Sequence, residues 1–211
     1  MFITFEGIEG CGKTTQLRLL AGKLRQEGRR VLTTREPGGT PVADSIRAIL
    51  LDAANTSLVP LAELLLYAAS RAQHVAEVIR PALQEGSVVL CDRFTDATVA
   101  YQGHGRGLDL QLISSLNHTA SCGLVPDLTV LIDCPVETGL RRAFARIAAT
   151  AGDREERFEQ ESVDFHRRVR EGYLELAHLD PARFLVVPGG GSVEETATAV
   201  EAAVAPRVGL S

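Results

Sequence analysis

Residues 1–16 read MFITFEGIEGCGKTTQ. A short apolar run enters Gly7-Ile8-Glu9-Gly10-Cys11-Gly12-Lys13-Thr14, which fits the spacing G-x-x-x-x-G-K-[ST]. Helical periodicity begins directly after it, in TQLRLLAGKLRQEG. Strand, glycine loop and helix in that order give the motif its meaning. The glycines let the backbone wrap closely and turn N–H groups onto phosphate oxygens. The positive end of the following helix adds to that field. Lys13 places a compact charge on the β- and γ-phosphates, and the Thr14 hydroxyl suits Mg²⁺. Gly7, Ile8, Glu9, Gly10, Cys11, Gly12, Lys13, Thr14 and Thr15 are therefore the candidate binding residues for the phosphates of a nucleoside triphosphate. Glu9 is the odd member, a carboxylate in a loop built for anions.

Outward from this loop, four more apolar runs read as buried strands: VLTTRE (31–36), SVVLCD (87–92), LTVLID (128–133) and RFLVVP (183–188). Helical segments separate them, and Gly28 and Gly86 stand where helix stops are expected. Strands alternating with helices predict an α/β fold with a five-stranded parallel sheet flanked by helices, the three-layer arrangement of P-loop kinases. No repeat or linker divides the 211 residues, so one domain spanning 1–211 is expected. One segment breaks the regularity. RIAATAGDREERFEQES (146–162) packs charges around a Gly-Asp break. It reads either as a solvated helix–helix connection or as a lid, at about 146–158, carrying arginines to a phosphate site.

Composition removes several classes. The formal net charge of −5 argues against a general nucleic-acid binder. No apolar run reaches the length of a membrane span, and the start lacks the basic, apolar and small-residue order of a secretory signal. No membrane partner and a cytoplasmic location are expected. The four cysteines form no C-x-x-C pair, which supports neither a disulfide framework nor a zinc site. Cys91, Cys122 and Cys134 are expected to be small buried hydrophobes. Neither N-K-x-D nor D-x-x-G occurs, so a switch GTPase is disfavoured.

A second pocket is written in VVLCDRFTDATVAYQGHGRG (88–107), which closes a strand with Asp92-Arg93. Ligands of such sheets lie beyond the carboxyl ends of the strands. Asp92 is positioned to hold Mg²⁺ through water and Arg93 to grip a phosphate; a helix-capping aspartate and a surface arginine are the plainer alternatives.

The ordered set FEGIEGCGKTTQ, TREPGGTP, LLLYAASRAQH, DRFTDATVAYQGHGRG and ERFEQESVDFHRRVREGYLELA closely resembles bacterial thymidylate kinases, over nearly the whole chain. That resemblance implies an ATP-dependent transfer of phosphate to dTMP, with Mg²⁺, in a homodimer. It makes Tyr67 the ring against the thymine face, with a core aromatic as the alternative. Arg71, four residues on and on the same helical face, becomes the base-reading arginine. Arg93 and Arg47 become the binders of the acceptor phosphate, flanked by Arg35 and Glu36, and Pro37 takes the place of a cis-proline. Thr98, Tyr101 and Gln102 match positions lining the thymidine pocket. Tyr173 matches the ring beside the deoxyribose, or is simply a packed helical tyrosine. Glu9 faces the acceptor, near the sugar and phosphate, or points into solvent. Ala97 stands where the family commonly has a serine, a loss of at most one hydrogen bond.

The resemblance also divides members by where an arginine for the transferring phosphate resides. This loop has none, which implies the type whose lid supplies it, with Arg154 and Arg157 as candidates beside Lys13, Arg93 and Glu9 in the catalytic set. VPGGGSVEE (187–195) is either an adenine-side loop or a plain connection. Another nucleoside monophosphate or deoxynucleoside kinase, and an ATP-regulated binding module, are the alternatives at this point.

Overall fold

The structure, a computed structural model, describes residues 1–149 and 157–209. Its core is a five-stranded parallel sheet in the order β2-β3-β1-β4-β5. The strands are β1 (Phe2–Glu6), β2 (Val31–Arg35), β3 (Val88–Asp92), β4 (Leu128–Asp133) and β5 (Phe184–Pro188), each within one residue of the sequence expectation. The three central strands are buried almost throughout, as their unbroken apolar runs require. The edge strands are wetter, which explains why β2 tolerates Thr33, Thr34 and Arg35.

The helices are α1 (Lys13–Gln26), α2 (Pro41–Leu51), α3 (Pro60–His74), α4 (Arg80–Gln84), α5 (Thr95–Thr98), α6 (Leu110–Ser121), α7 (Val136–Ala149), α8 (Val163–Leu179) and α9 (Val193–Val208). A π-helical turn, Val75–Ile79, joins α3 to α4, and another, Val99–Gly105, follows α5. Helix α1 packs on β1, β2 and β3 and beside α9, while α8 packs on β4 and β5. Leu17, Leu20, Ala21 and Leu24 are the buried stripe of α1, at helical spacing. Gly28 and Gly86 take positive φ past α1 and α4, as read from the sequence. The Glu36–Pro37 bond is cis.

One expectation fails. Cys122 is exposed, because it is the left-handed residue that ends α6, at φ 51° and outside the packed stripe. Cys11, Cys91 and Cys134 are buried.

The register brings strand ends together: Phe5 of β1 and Arg35 of β2 both pair with Asp92 of β3. The glycine loop, Arg93 and Glu36 thus leave the sheet side by side, which is where the site forms.

Candidate active site

A cleft of about 1100 Å³ opens at this edge, lined at one end by residues 9–15 and at the other by Arg71, Arg93, Thr98, Tyr101 and Gln102. Gly7, Gly10 and Gly12 all have positive φ, and Gly12 starts α1 without a side-chain cap. The first N–H groups of α1 therefore carry no side-chain partner and border the cleft, the arrangement that attracts phosphate. Lys13 Nζ spans the loop, donating to the carbonyls of Gly7 at 3.0 Å and Ile8 at 2.8 Å. The Thr14 hydroxyl donates to the Asp92 carboxylate, so the two residues read as metal ligands meet.

Arg93 is the hinge between the two ends. Its φ of 71° is a conformation that costs a non-glycine residue energy, and it turns the side chain out of β3 toward the loop. Its guanidinium donates to Glu9 Oε1 at 2.9 Å, Tyr101 Oη at 2.9 Å and Tyr173 Oη at 3.2 Å. Tyr101 also donates to Glu9 Oε1, at 2.5 Å, and its ring lies 4.6 Å from the guanidinium carbon. Burial would raise the Glu9 carboxyl, but Arg93, His166 and Lys13 outweigh it and hold the group well below the usual carboxylate range. Glu9 points inward and is buried, with His166 Nδ1 at 3.2 Å from its other oxygen. Beneath it, Glu6 accepts from the Phe94 amide and from Tyr173 Oη, each at 2.7 Å. Burial, followed by the nearby Asp96, pushes the Glu6 carboxyl up to about 8.

Helix α3 supplies the opposite wall. Glu63, Tyr67 and Arg71 follow one another at four-residue spacing on a single stripe. Arg71 is no surface charge: it is 1% exposed and nearly every donor is engaged. Nε donates to Glu36 at 2.8 Å, Nη1 to Asn117 at 2.6 Å, and Nη2 to the Phe94 carbonyl and Thr98 Oγ1 at 3.1 and 3.0 Å. His74 holds the other Glu36 oxygen at 3.0 Å. Arg47 borders the cleft and donates to the Pro37 carbonyl at 3.0 Å. Ala97 is on the wall as well.

Most of the expected residues thus converge on one cleft. Gly7 and Ile8 lie behind it, supporting Lys13, and Tyr173 is buried behind Arg93 instead of forming the wall. The rings on the wall are Tyr67, Phe94, Tyr101 and Phe158, the last of which contacts Tyr101 and Tyr67 with centroids at 5.4 and 6.4 Å. Arg154 lies outside the described residues. Arg157 is drawn to the Gln102 end of the cleft, where it pairs with Glu63 at 2.7 Å and donates to the Leu50 carbonyl at 2.5 Å. Arg146 reaches the cleft and pairs with Glu159 at 3.1 Å. The glycine-rich loop after β5 is also on the cleft, held by Arg142, which donates to the carbonyls of Gly189, Gly190 and Gly191.

Sequence reasoning missed Glu6, Glu63, Asn117, Arg142, Phe158 and His166. Glu63 alone left a signal, its four-residue step to Tyr67. The others are tied to the site by partners far away in the chain.

A glycine loop at the start of α1, a second basic pocket in the same cleft, and a parallel sheet in this order define a P-loop kinase acting on a nucleotide. The thymidylate kinase family model matches residues 5–200. The thymidylate kinase of Trichlorobacter lovleyi is 64% identical over 210 residues, covering 100% of this chain and 99% of that one. That of Geobacter sp. strain M21 is 67% identical over 207 residues, covering 98% and 92%. The crystal structure of thymidylate kinase from Ehrlichia chaffeensis superposes with a TM-score of 0.76 at 36% identity, covering 95% of this chain and 96% of that one. The chain belongs to the thymidylate kinase family.

Proposed function

We propose that the γ-phosphoryl group of ATP passes to dTMP within this one cleft, giving dTDP and ADP, with the residues above in distinct roles. The observation that carries the reading is that the glycine loop with Lys13 and the buried Arg71 guanidinium line the same cavity. The acceptor is a phosphate oxygen, already ionised near neutral pH, so the reaction asks for alignment and charge more than for a strong base. The amides at the start of α1 and Lys13 hold the triphosphate. Arg93 and Arg47 hold the acceptor phosphate, with Glu9 and Tyr101 fixing the Arg93 fork. Arg71, Thr98 and Gln102 meet the base edge while Tyr67 and Phe158 cover its faces.

Mg²⁺ fits the donor set. Thr14 and Asp92 offer hard oxygen atoms side by side. Among the described residues no group of three or more His, Cys, Asp or Glu side chains is suited to a metal. Thr14 and Asp92 would hold the ion, Asp92 through water, and it would supply positive charge to neutralise the phosphates.

The arginine absent from the loop is supplied by Arg154, in this reading. Arg157, already paired with Glu63, serves the acceptor end. Arg154→Ala should lower kcat with little change in KM for dTMP, and Arg157→Ala should act mainly on that KM. A homodimer in the cytoplasm completes the reading, the exposed Leu61 and Leu65 of α3 supporting the dimer. Coupled ADP release with ATP across the common nucleoside monophosphates tests the assignment. A strong preference for dTMP is expected, and an equal or greater response to another monophosphate would overturn it.

A further inference from the structure

Glu63 is a buried carboxylate that the transfer step does not use. It is 0% exposed, yet it gathers donors from three directions. Gln102 Nε2 donates to Oε1 at 2.7 Å, Arg106 donates from Nη2 to Oε2 at 3.2 Å, and Arg157 Nη1 pairs with Oε2 at 2.7 Å. Arg106 is in turn paired with Glu161 at 2.5 Å. Between two guanidinium groups, the carboxylate has a fixed place and presents only acceptor oxygens to Gln102.

That contact decides which way the Gln102 amide lies. A carboxylate can face only the nitrogen end of an amide, whatever the terminal group would do elsewhere. One N–H is spent on Glu63. The carbonyl oxygen Oε1, which accepts no hydrogen bond among the described residues, and the second N–H are left as an adjacent acceptor–donor pair on the cleft wall. The polarity of that pair is chemically selective. Thymine offers N3–H beside a carbonyl, so it meets an oxygen with its N3 and an N–H with its carbonyl. Cytosine offers N3 as an acceptor beside an amino group, and would need the amide turned over.

We propose that Glu63 is a specificity-determining positioning residue: by holding the Gln102 amide in one orientation, it selects an acceptor base with N3–H beside a carbonyl over one with N3 beside an amine. The inference rests on the reading of the cleft as a dTMP site. Arg106 and Arg157 keep Glu63 in place, which gives Arg157 a task at the acceptor end.

The test is steady-state kinetics of the full chain with ATP and either dTMP or dCMP as acceptor, for Glu63→Gln, Gln102→Leu and the double variant. Glu63→Gln preserves shape but can donate or accept, so it releases the amide to either orientation. The ratio of kcat/KM for dTMP to that for dCMP should fall about ten-fold or more, a change of about 1.4 kcal/mol. Gln102→Leu should lower the ratio by itself, and adding Glu63→Gln to it should change the ratio no further. The idea is overturned if Gln102→Leu keeps the wild-type ratio, or if Glu63→Gln lowers both acceptors equally. It also fails if Glu63→Gln lowers the ratio as much in the Gln102→Leu background as alone. Gln102→Leu can still overturn the idea if Glu63→Gln does not fold. If the unaltered protein phosphorylates no dTMP, the reading of the cleft fails and the proposal with it. If it does and the ratios stay constant, only the role of Glu63 fails.

Discussion

Arg71 is held by Glu36, Asn117, the Phe94 carbonyl and Thr98, acceptors from three separate parts of the chain. Only a planar fork with several fixed N–H groups satisfies them together, so lysine is not a conservative exchange here. Arg71→Lys should raise KM for dTMP about ten-fold or more while KM for ATP stays within about two-fold. Initial rates with each substrate varied in turn read this directly, and equal shifts in both would count against a base-reading role. Arg71→Ala should also destabilise the fold by about 3–5 kcal/mol, since it strands the buried Glu36 carboxylate. Urea denaturation measures that loss. The spacing of Tyr67 and Arg71 was legible in the sequence because a helix repeats on itself. Asn117 was not, since nothing local marks an asparagine on α6 as the partner of an arginine on α3.

Among the elements, the loop after β1 and helix α7 approach so closely that neither tolerates a side chain. A Cβ on Gly10 would overlap the Gly139 carbonyl oxygen, and a Cβ on Gly139 would sit 2.5 Å from the Glu9 carbonyl oxygen. Gly139 is far from the cleft in sequence and plays no part in chemistry. Even so, Gly139→Ala should push the loop out of shape and weaken ATP binding about ten-fold or more. Calorimetric titration with ATP would show it, and an unchanged affinity would mean that the loop is not braced by α7. The central strands were easy to read because a strand buried on both faces is apolar throughout. The glycine loop was legible for a different reason, since its residue types answer a chemical need. The Cys122 expectation failed because the end of α6 is set by a single left-handed residue, which leaves no mark in hydrophobic pattern. Tyr173 was legible only as a helical tyrosine, because its hydroxyl bonds to Arg93 and Glu6 join parts of the chain far apart in sequence.

For the molecule as a whole, the buried ionisable groups under the cleft tie stability to pH. The Glu6 carboxyl, ordinarily near 4.5, is raised to about 8 by burial and by Asp96. Between those values the folded chain keeps a proton that the unfolded chain has lost. Stability from this group is therefore complete below about pH 4.5 and declines as pH rises toward 8. The decline is at most about 1.4 kcal/mol per pH unit. Glu9 runs the other way: its depressed carboxyl stabilises the fold above its ordinary range, and that stability is lost only in acid. Urea midpoints should fall between pH 5.5 and 8.5 for the unaltered protein, and Glu6→Gln should flatten the slope. Parallel slopes would show that Glu6 is not the group responsible.

Helix α3 carries Glu63, Tyr67 and Arg71 along one stripe, the last two of them lining the cleft. Each residue of an α-helix advances the side-chain direction by about 100°. One alanine inserted ahead of Glu63 shifts the entry register of the helix; one inserted between Tyr67 and Arg71 instead puts the base reader and the ring out of phase. The relative orientation of Tyr67 and Arg71 is thus a rotational setting of one rod, which an insertion between them changes.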